Sequence, residues 1–225
     1  MTYDPTSNPM PGAPPAPAAP AASGGTRHPV QLTVERSAKQ SRALALFIYP
    51  IVRVVMLIPV IVVLYVLMFA AEIVTIVGLT ATLFTGSYPA GMHKFVTGVL
   101  QLEARTYAFL YGLTDSYPGF SITPGDGVHP VQLTIERSEK QSRVLALLIV
   151  PIVRMILLIP VIIVLYILGL AAGLLGIVGL IAILFTGSYP AGMHKFVTGV
   201  LRLMMRTGAY ALGLTDTYPG INMEP

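Results

Sequence analysis

The chain has no cysteine and no tryptophan among its 225 residues, and only 11% of them are charged. The missing thiol excludes disulfides, a thiolate nucleophile and Cys-ligated metals together, and leaves the redox compartment open. Without tryptophan, any aromatic belt at a membrane boundary falls to tyrosine. Charge is scarcest in two long stretches. Residues 43–84 carry only Arg53 and Glu72, and residues 144–185 only Arg154. Paired carboxylates, a nucleophile elbow and metal-ligand spacings are also lacking, so an enzyme is the least favoured class.

What is present is said twice. His28 to Phe120 realigns on His129 to Ile221 without a gap, at a constant offset of 101 residues, with roughly 70% of positions identical. Leu83 to Leu100 (LFTGSYPAGMHKFVTGVL) recurs letter for letter as Leu184 to Leu201. A hydrophobic content of 54% and a mean hydropathy of +0.74 lie outside ordinary soluble composition. The chain divides into a Pro/Ala-rich tail that is disordered by composition (residues 1–27), a first membrane repeat (28–120), a linker (121–128) and a second membrane repeat (129–225).

Each apolar run of about 42 residues could reach about 60 Å as a helix, roughly two crossings of a 30 Å hydrocarbon layer. The expected fold is therefore all-α and integral to a membrane: in each repeat a transmembrane helix hairpin, then an interfacial amphipathic helix, with a short strand opening the repeat. The hairpin tip falls near Met68 to Glu72, because the second copy clusters Gly169, Gly173 and Gly176 there and Glu72 matches Gly173. Ser37 and Ser138 are candidate N-caps, and the first helix runs from about Leu44 to Leu67. The strand reading rests on Val30, Leu32 and Val34 alternating with Gln31, Thr33 and Glu35, and the twin segment is a suitable partner. Gly91 to Leu113 is helical, with Lys94, Thr97, Gly98, Gln101 and Arg105 on one stripe, matched by Lys195, Thr198, Gly199, Arg202 and Arg206.

Basic residues flank the apolar runs while the proposed tips have none, so positive-inside orientation predicts a multi-pass protein of the cytoplasmic membrane with both termini cytoplasmic and the repeats parallel. Arg53 and Arg154 lie within snorkelling reach of the near surface. They join His93, Lys94, Arg105, His194, Lys195, Arg202 and Arg206 as candidates for contact with lipid headgroups or the interface. A phosphate or proton site at His93-Lys94 and His194-Lys195 is the sharper alternative, as is a metal held by these imidazoles with His28 and His129. Gly169, Gly173 and Gly176 are read as helix-packing positions. Tyr65 and Tyr166 are read as buried tyrosines seeking a hydrogen bond. Thr114-Asp115 and Thr215-Asp216 are read as turn closers.

The motifs IPVIVVLY (Ile58 to Tyr65), LFTGSYP (Leu83 to Pro89), FVTGVL (Phe95 to Leu100) and LTDSYP (Leu113 to Pro118) resemble an uncharacterised bacterial membrane domain known only as a domain of unknown function. All four recur in the second copy. The resemblance implies a small integral membrane module, often in tandem, with no activity or catalytic residues to carry over. The resulting expectation is a non-enzymatic structural or accessory protein without a cofactor. It would be a scaffold or subunit of a membrane complex, membrane-shaping in its wedge-like architecture. Its partners would be anionic lipids and other membrane subunits or a second copy, with no nucleic acid. The alternative is a transport or lipid-binding protein with a path between the two repeats, lined by Arg53, Arg154, Tyr65 and Tyr166.

Overall fold

The computed structural model describes residues 28–42, 49–138, 140–143, 146 and 150–224. The tail expected to be disordered, residues 1–27, lies outside the described residues, as does the expected helix start near Leu44. Among the described residues the order is β1 (Val30–Val34), α1 (Tyr49–Thr85), α2 (Ala90–Leu110), β2 (Val131–Ile135), α3 (Val150–Thr186) and α4 (Ala191–Ala211).

The hairpin is replaced by a single helix. α1 and α3 each run 37 residues without a break, through Pro59 and Pro160 respectively, a length of about 55 Å. Met68 to Glu72 offers no proline or turn-forming polar residue, and glycines inside an apolar helix leave its hydrogen-bond ladder intact. Continuing the helix satisfies every backbone group, which a bend in apolar surroundings would not. Ser37 and Ser138 sit too far ahead of Tyr49 and Val150 to cap these helices. The neighbouring Ser41 and Ser142 are the ones engaged, donating their N–H groups to Asp115 and Asp216.

The alternating segments pair with each other as expected, and the pairing is antiparallel, with Val30 opposite Ile135 and Leu32 opposite Leu133. Leu133 is Leu32's own counterpart in the repeat, so the ribbon has a pseudo-two-fold axis through this pair. Paired residues of an antiparallel ladder share a face, which sets that axis perpendicular to the ribbon. Val30, Leu32, Val34, Val131, Leu133 and Ile135 all turn inward and are buried. Each contributes about 1.5–3 kcal/mol on full burial.

Below the ribbon lie α2 and α4, which pack on each other, on β2 and β1 respectively, and on α1 and α3. Leu100, Ala104 and Ala108 of α2 join Val200, Leu201, Met205 and Ala209 of α4 in the main core. The long helices run in opposite directions. Gln40, ahead of α1, donates its N–H to Gly187 at the end of α3 (2.9 Å), and Gln141 does the same to Gly86 at the end of α1 (2.9 Å). Val54 shares a groove with Gly173, Gly176, Ile177 and Leu180. Two helices that are exchanged by a two-fold axis and lie start-to-end at both ends must run across that axis, so α1 and α3 lie parallel to the plane of the ribbon.

Candidate membrane interface

α1 and α3 bury only one narrow stripe. In α1 it runs through Arg53, Leu57, Val60, Ala71, Thr75, Gly78 and Thr82, at helical spacing. Apart from Glu72, which is exposed, the remaining circumference is largely apolar and open from end to end, including Ile51 (68% exposed), Val62 (59%), Phe69 (66%) and Phe84 (76%). α3 repeats this with Ile156, Ile163, Leu174 and Phe185. So large an apolar face exceeds what a monomer in water carries. Tyr65 and Tyr166 belong to it, 75% and 70% exposed. The expectation that they are buried is corrected: they flank the stripe that meets α2 and α4, and Tyr65 borders the cleft between α1 and α2.

Arg53 and Arg154 do not snorkel. Both are 1% exposed and bridge to Asp115 and Asp216 at 2.8 Å. Arg53 also donates to the Phe109 and Thr114 carbonyls and stacks 4.7 Å over the Phe109 ring. Arg154 donates to Tyr210 and Thr215 and lies 5.0 Å over the Tyr210 ring. The Phe109 and Tyr210 carbonyls near the ends of α2 and α4 each accept one backbone N–H, from Gly112 and Gly213, and a planar guanidinium from the adjacent long helix adds a second donor. Asp115 in turn accepts from Ser41 N–H at 2.8 Å, and Asp216 from Ser142 at 2.7 Å. Thr114 and Thr215 close the following turns by accepting from Ser116 and Thr217. The aspartates are thus ion-pair partners as well as turn residues.

Beyond Lys94 and Lys195, the polar stripe of the shorter helices meets protein. Arg105 grips Asp126 with two 2.9 Å bonds, and Gln101 accepts from Gly125 N–H. Burial pushes the Asp126 carboxyl up, but the bonds from Arg105, Gln132 and Val128 outweigh it and hold the group at about 2. Arg202 donates to the carbonyls of Leu32 and Met223, and Arg206 to those of Val30, Asn222 and Glu224. The ribbon and the segments after each repeat offer these carbonyls, so the stripe faces inward. His93 and His194 are buried edge-on against Tyr88 and Tyr189. Burial, then the nearby Arg137 and Arg36, lower both imidazoles below their ordinary value and keep them neutral. Of the nine proposed headgroup residues, only Lys94 and Lys195 are openly exposed. Arg36 and Arg137, which sequence reasoning passed over, tie the repeats together through the carbonyls of Tyr189 and Tyr88, while the side chains of Gln40 and Gln141, also passed over, hold the Gly112 and Gly213 carbonyls within their own repeats.

Gly176 does pack closely: a Cβ there would fall 3.3 Å from the Tyr111 carbonyl oxygen. At Gly169 and Gly173 it would meet open space, so these two are not packing positions. The tight contacts on the long helices are at Gly78 and Gly179, where a Cβ would run into the rings of Tyr88 and Tyr189.

Between α1 and α2 of the first repeat opens a cavity of about 580 Å³, lined by Leu57, Leu64, Tyr65, Glu72, Glu103 and Tyr107 among others. Burial alone pushes the Glu103 carboxyl up to about 7. Among the described residues no group of three His, Asp or Glu side chains gathers to hold a metal ion.

The family model described as Domain of unknown function (DUF4389) matches residues 50–121 and again 151–221. The chain belongs to that family. Each match begins at the first turn of a long helix and ends just past the Tyr-Pro turn that follows the shorter one, so a DUF4389 unit here is one long and one short helix together with the aspartate that pairs with the long helix's arginine. Neither a curated protein nor a solved structure matches the chain. α1 and α3 are long and apolar enough to cross a membrane.

Proposed function

We propose that this tandem DUF4389 protein is a non-enzymatic membrane component, a structural or accessory module that acts as scaffold or subunit of a membrane complex and shapes the bilayer it occupies. The observation that carries the reading is the apolar face running the full length of α1 and α3. Its polar chemistry is consumed internally: the buried arginines are spent on aspartates and chain carbonyls, and the imidazoles are kept neutral in packed surroundings. Among the described residues, Lys39, Arg42, Lys94, Lys140, Arg143 and Lys195 are exposed and suit anionic lipid; Arg36 and Arg137 are exposed too but are engaged with the Tyr189 and Tyr88 carbonyls. The expected location is the cytoplasmic membrane with both termini in the cytoplasm.

The test is fractionation followed by mild-detergent purification. The protein should resist high-salt and alkaline extraction, and should either co-purify with a larger assembly or alter the curvature of anionic vesicles. A chain released into the soluble fraction would defeat the proposal, as would a lone monomer leaving vesicles unchanged. The cavity of the first repeat favours one second reading, lipid binding, in which an amphiphile with a cationic head sits between Glu72 and Glu103. The transport path lined by Arg53 and Arg154 has less support, since both guanidinium groups are held against the ends of α2 and α4.

A further inference from the structure

The pseudo-two-fold axis and the long helices together restrict how the molecule can meet a bilayer, and three observations decide between two seatings. If α1 and α3 crossed the bilayer, the axis would lie in the membrane plane and the repeats would be inverted. The axis cuts the long helices near Tyr65 and Tyr166, since Arg53 and Leu180 meet around Gly112 while Leu79 packs on Gly213. It also passes through Leu32 and Leu133 of the ribbon. A crossing would therefore set the ribbon at mid-depth, beside the hydrocarbon. Its exposed Thr33, Glu35, Thr134 and Glu136, and the outer edges of a sheet with only two strands, have no partners there, and open sheet edges do not occur in hydrocarbon.

Length points the same way. A helix of 37 residues reaches about 55 Å against a hydrocarbon layer of about 30 Å, so crossing would demand an extreme tilt. Charge placement is the third observation. Lys39, Arg42 and Lys195 gather at one end of the antiparallel pair, where Arg42 lies against Gly187; Lys94, Lys140 and Arg143 gather at the other, where Arg143 lies against Gly86. Crossing would divide these six cations equally between the two leaflets, and would divide Arg36 and Arg137 likewise, against the asymmetry that orients membrane proteins.

We infer that α1 and α3 lie flat in one leaflet, side by side and antiparallel, with the axis along the membrane normal, the ribbon in water and all six cations at one anionic headgroup layer. This rests on the membrane reading above and replaces crossing by one-sided insertion. In this seating the two repeats present identical faces to the lipid, which is what a two-fold along the normal requires, and a slab of two long helices pushes headgroups apart on one side alone.

The cysteine-free chain makes the test direct. Single substitutions Lys39→Cys, Lys94→Cys, Lys140→Cys and Lys195→Cys in the full-length protein are probed with a membrane-impermeant maleimide in inside-out and right-side-out vesicles. All four should label in one vesicle orientation and none in the other. Lys39→Cys and Lys94→Cys labelling from opposite faces would overturn flat seating while leaving the membrane reading intact. A protein absent from the vesicles would overturn the membrane reading itself. Nitroxides at Val55, Tyr65 and Ile76 supply a second measurement. These should report equal depth; a gradient with Tyr65 deepest means the helix crosses.

Discussion

The two repeats share a backbone plan and differ in what lines the cleft between long and short helix. In the first repeat that cleft holds Glu72, Glu103 and Tyr107; the same positions in the second are Gly173, Met204 and Gly208. The framework contacts, by contrast, are duplicated with the same residues: Arg53–Asp115 with Arg154–Asp216, and Gln40 on Gly112 with Gln141 on Gly213. What duplicates with its partners is scaffold, and what differs inside an unchanged scaffold is where the copies have been free to take separate roles.

The sharpest way to break that comparison is to remove one aspartate from each framework pair. Asp115→Ala leaves the Arg53 guanidinium buried without its counter-charge, and Asp216→Ala does the same to Arg154. Each should cost about 3 kcal/mol, toward the low end for a broken buried pair because the aspartates are partly exposed. The thermal midpoint in detergent should fall by the same amount for both. Unequal losses would show that the two nodes do not carry equal weight.

Next come the glycines under the tyrosine rings. A Cβ added at Gly78 or Gly179 collides with Tyr88 or Tyr189, and overpacking of this kind costs about 1–3 kcal/mol. Gly78→Ala and Gly179→Ala should destabilise to the same degree, and adding the ring removal Tyr88→Ala to Gly78→Ala should make the alanine at 78 harmless. If Gly78→Ala remains costly on the Tyr88→Ala background, the ring is not what the glycine accommodates.

Much of this organisation is legible in the sequence and some is not, for identifiable reasons. The duplication, the pairing of the two alternating segments, the shorter helix and the apolar character of the long one all follow from periodicity and identity. The hairpin fails because two spans and one long helix share the same composition. Glycine placement and the matching Glu72 located the bend, and neither a glycine nor a single carboxylate distinguishes a turn from an unhindered helical position. The inward stripe of Arg105, Arg202 and Arg206 fails for another reason. A basic face on a helix reads as lipid-facing until one knows that ribbon carbonyls lie opposite it, and that is a property of tertiary arrangement. Arg53 was misplaced because its partner is 62 residues away and spacing alone does not announce a contact at that range.

The unmatched cleft carries a pH signature confined to one repeat. Glu103 has its carboxyl raised from an ordinary 4.5 to about 7 by burial. Between those values the folded chain holds a proton that the unfolded chain releases, so stability falls as pH rises through the window and is fully present below 4.5. The open cavity lets solvent reach the group, which reduces the penalty to about 1–2 kcal/mol at pH 8. Glu103→Gln should recover that amount at pH 8 and nothing at pH 4, flattening the profile of thermal midpoint against pH between 4.5 and 7. Met204→Glu should import the same slope into the second repeat if the two clefts have the same shape; an unchanged profile would mean that they differ in more than these side chains.

The smallest effect is expected where the sequence first suggested close packing. Gly169 and Gly173 sit inside α3 with open space where a side chain would begin, so alanine there meets no neighbour and removes backbone freedom from the unfolded chain. Gly169→Ala and Gly173→Ala should each stabilise by about 0.5–1 kcal/mol, while Gly176→Ala, tight against the Tyr111 backbone, should gain less or lose. The first repeat supplies the control, because Met68 and Glu72 already occupy the corresponding positions of an unbroken helix. A loss of stability at Gly169 or Gly173 would indicate that a second molecule covers this face of α3, and a concentration-dependent midpoint for the unsubstituted protein would then accompany it.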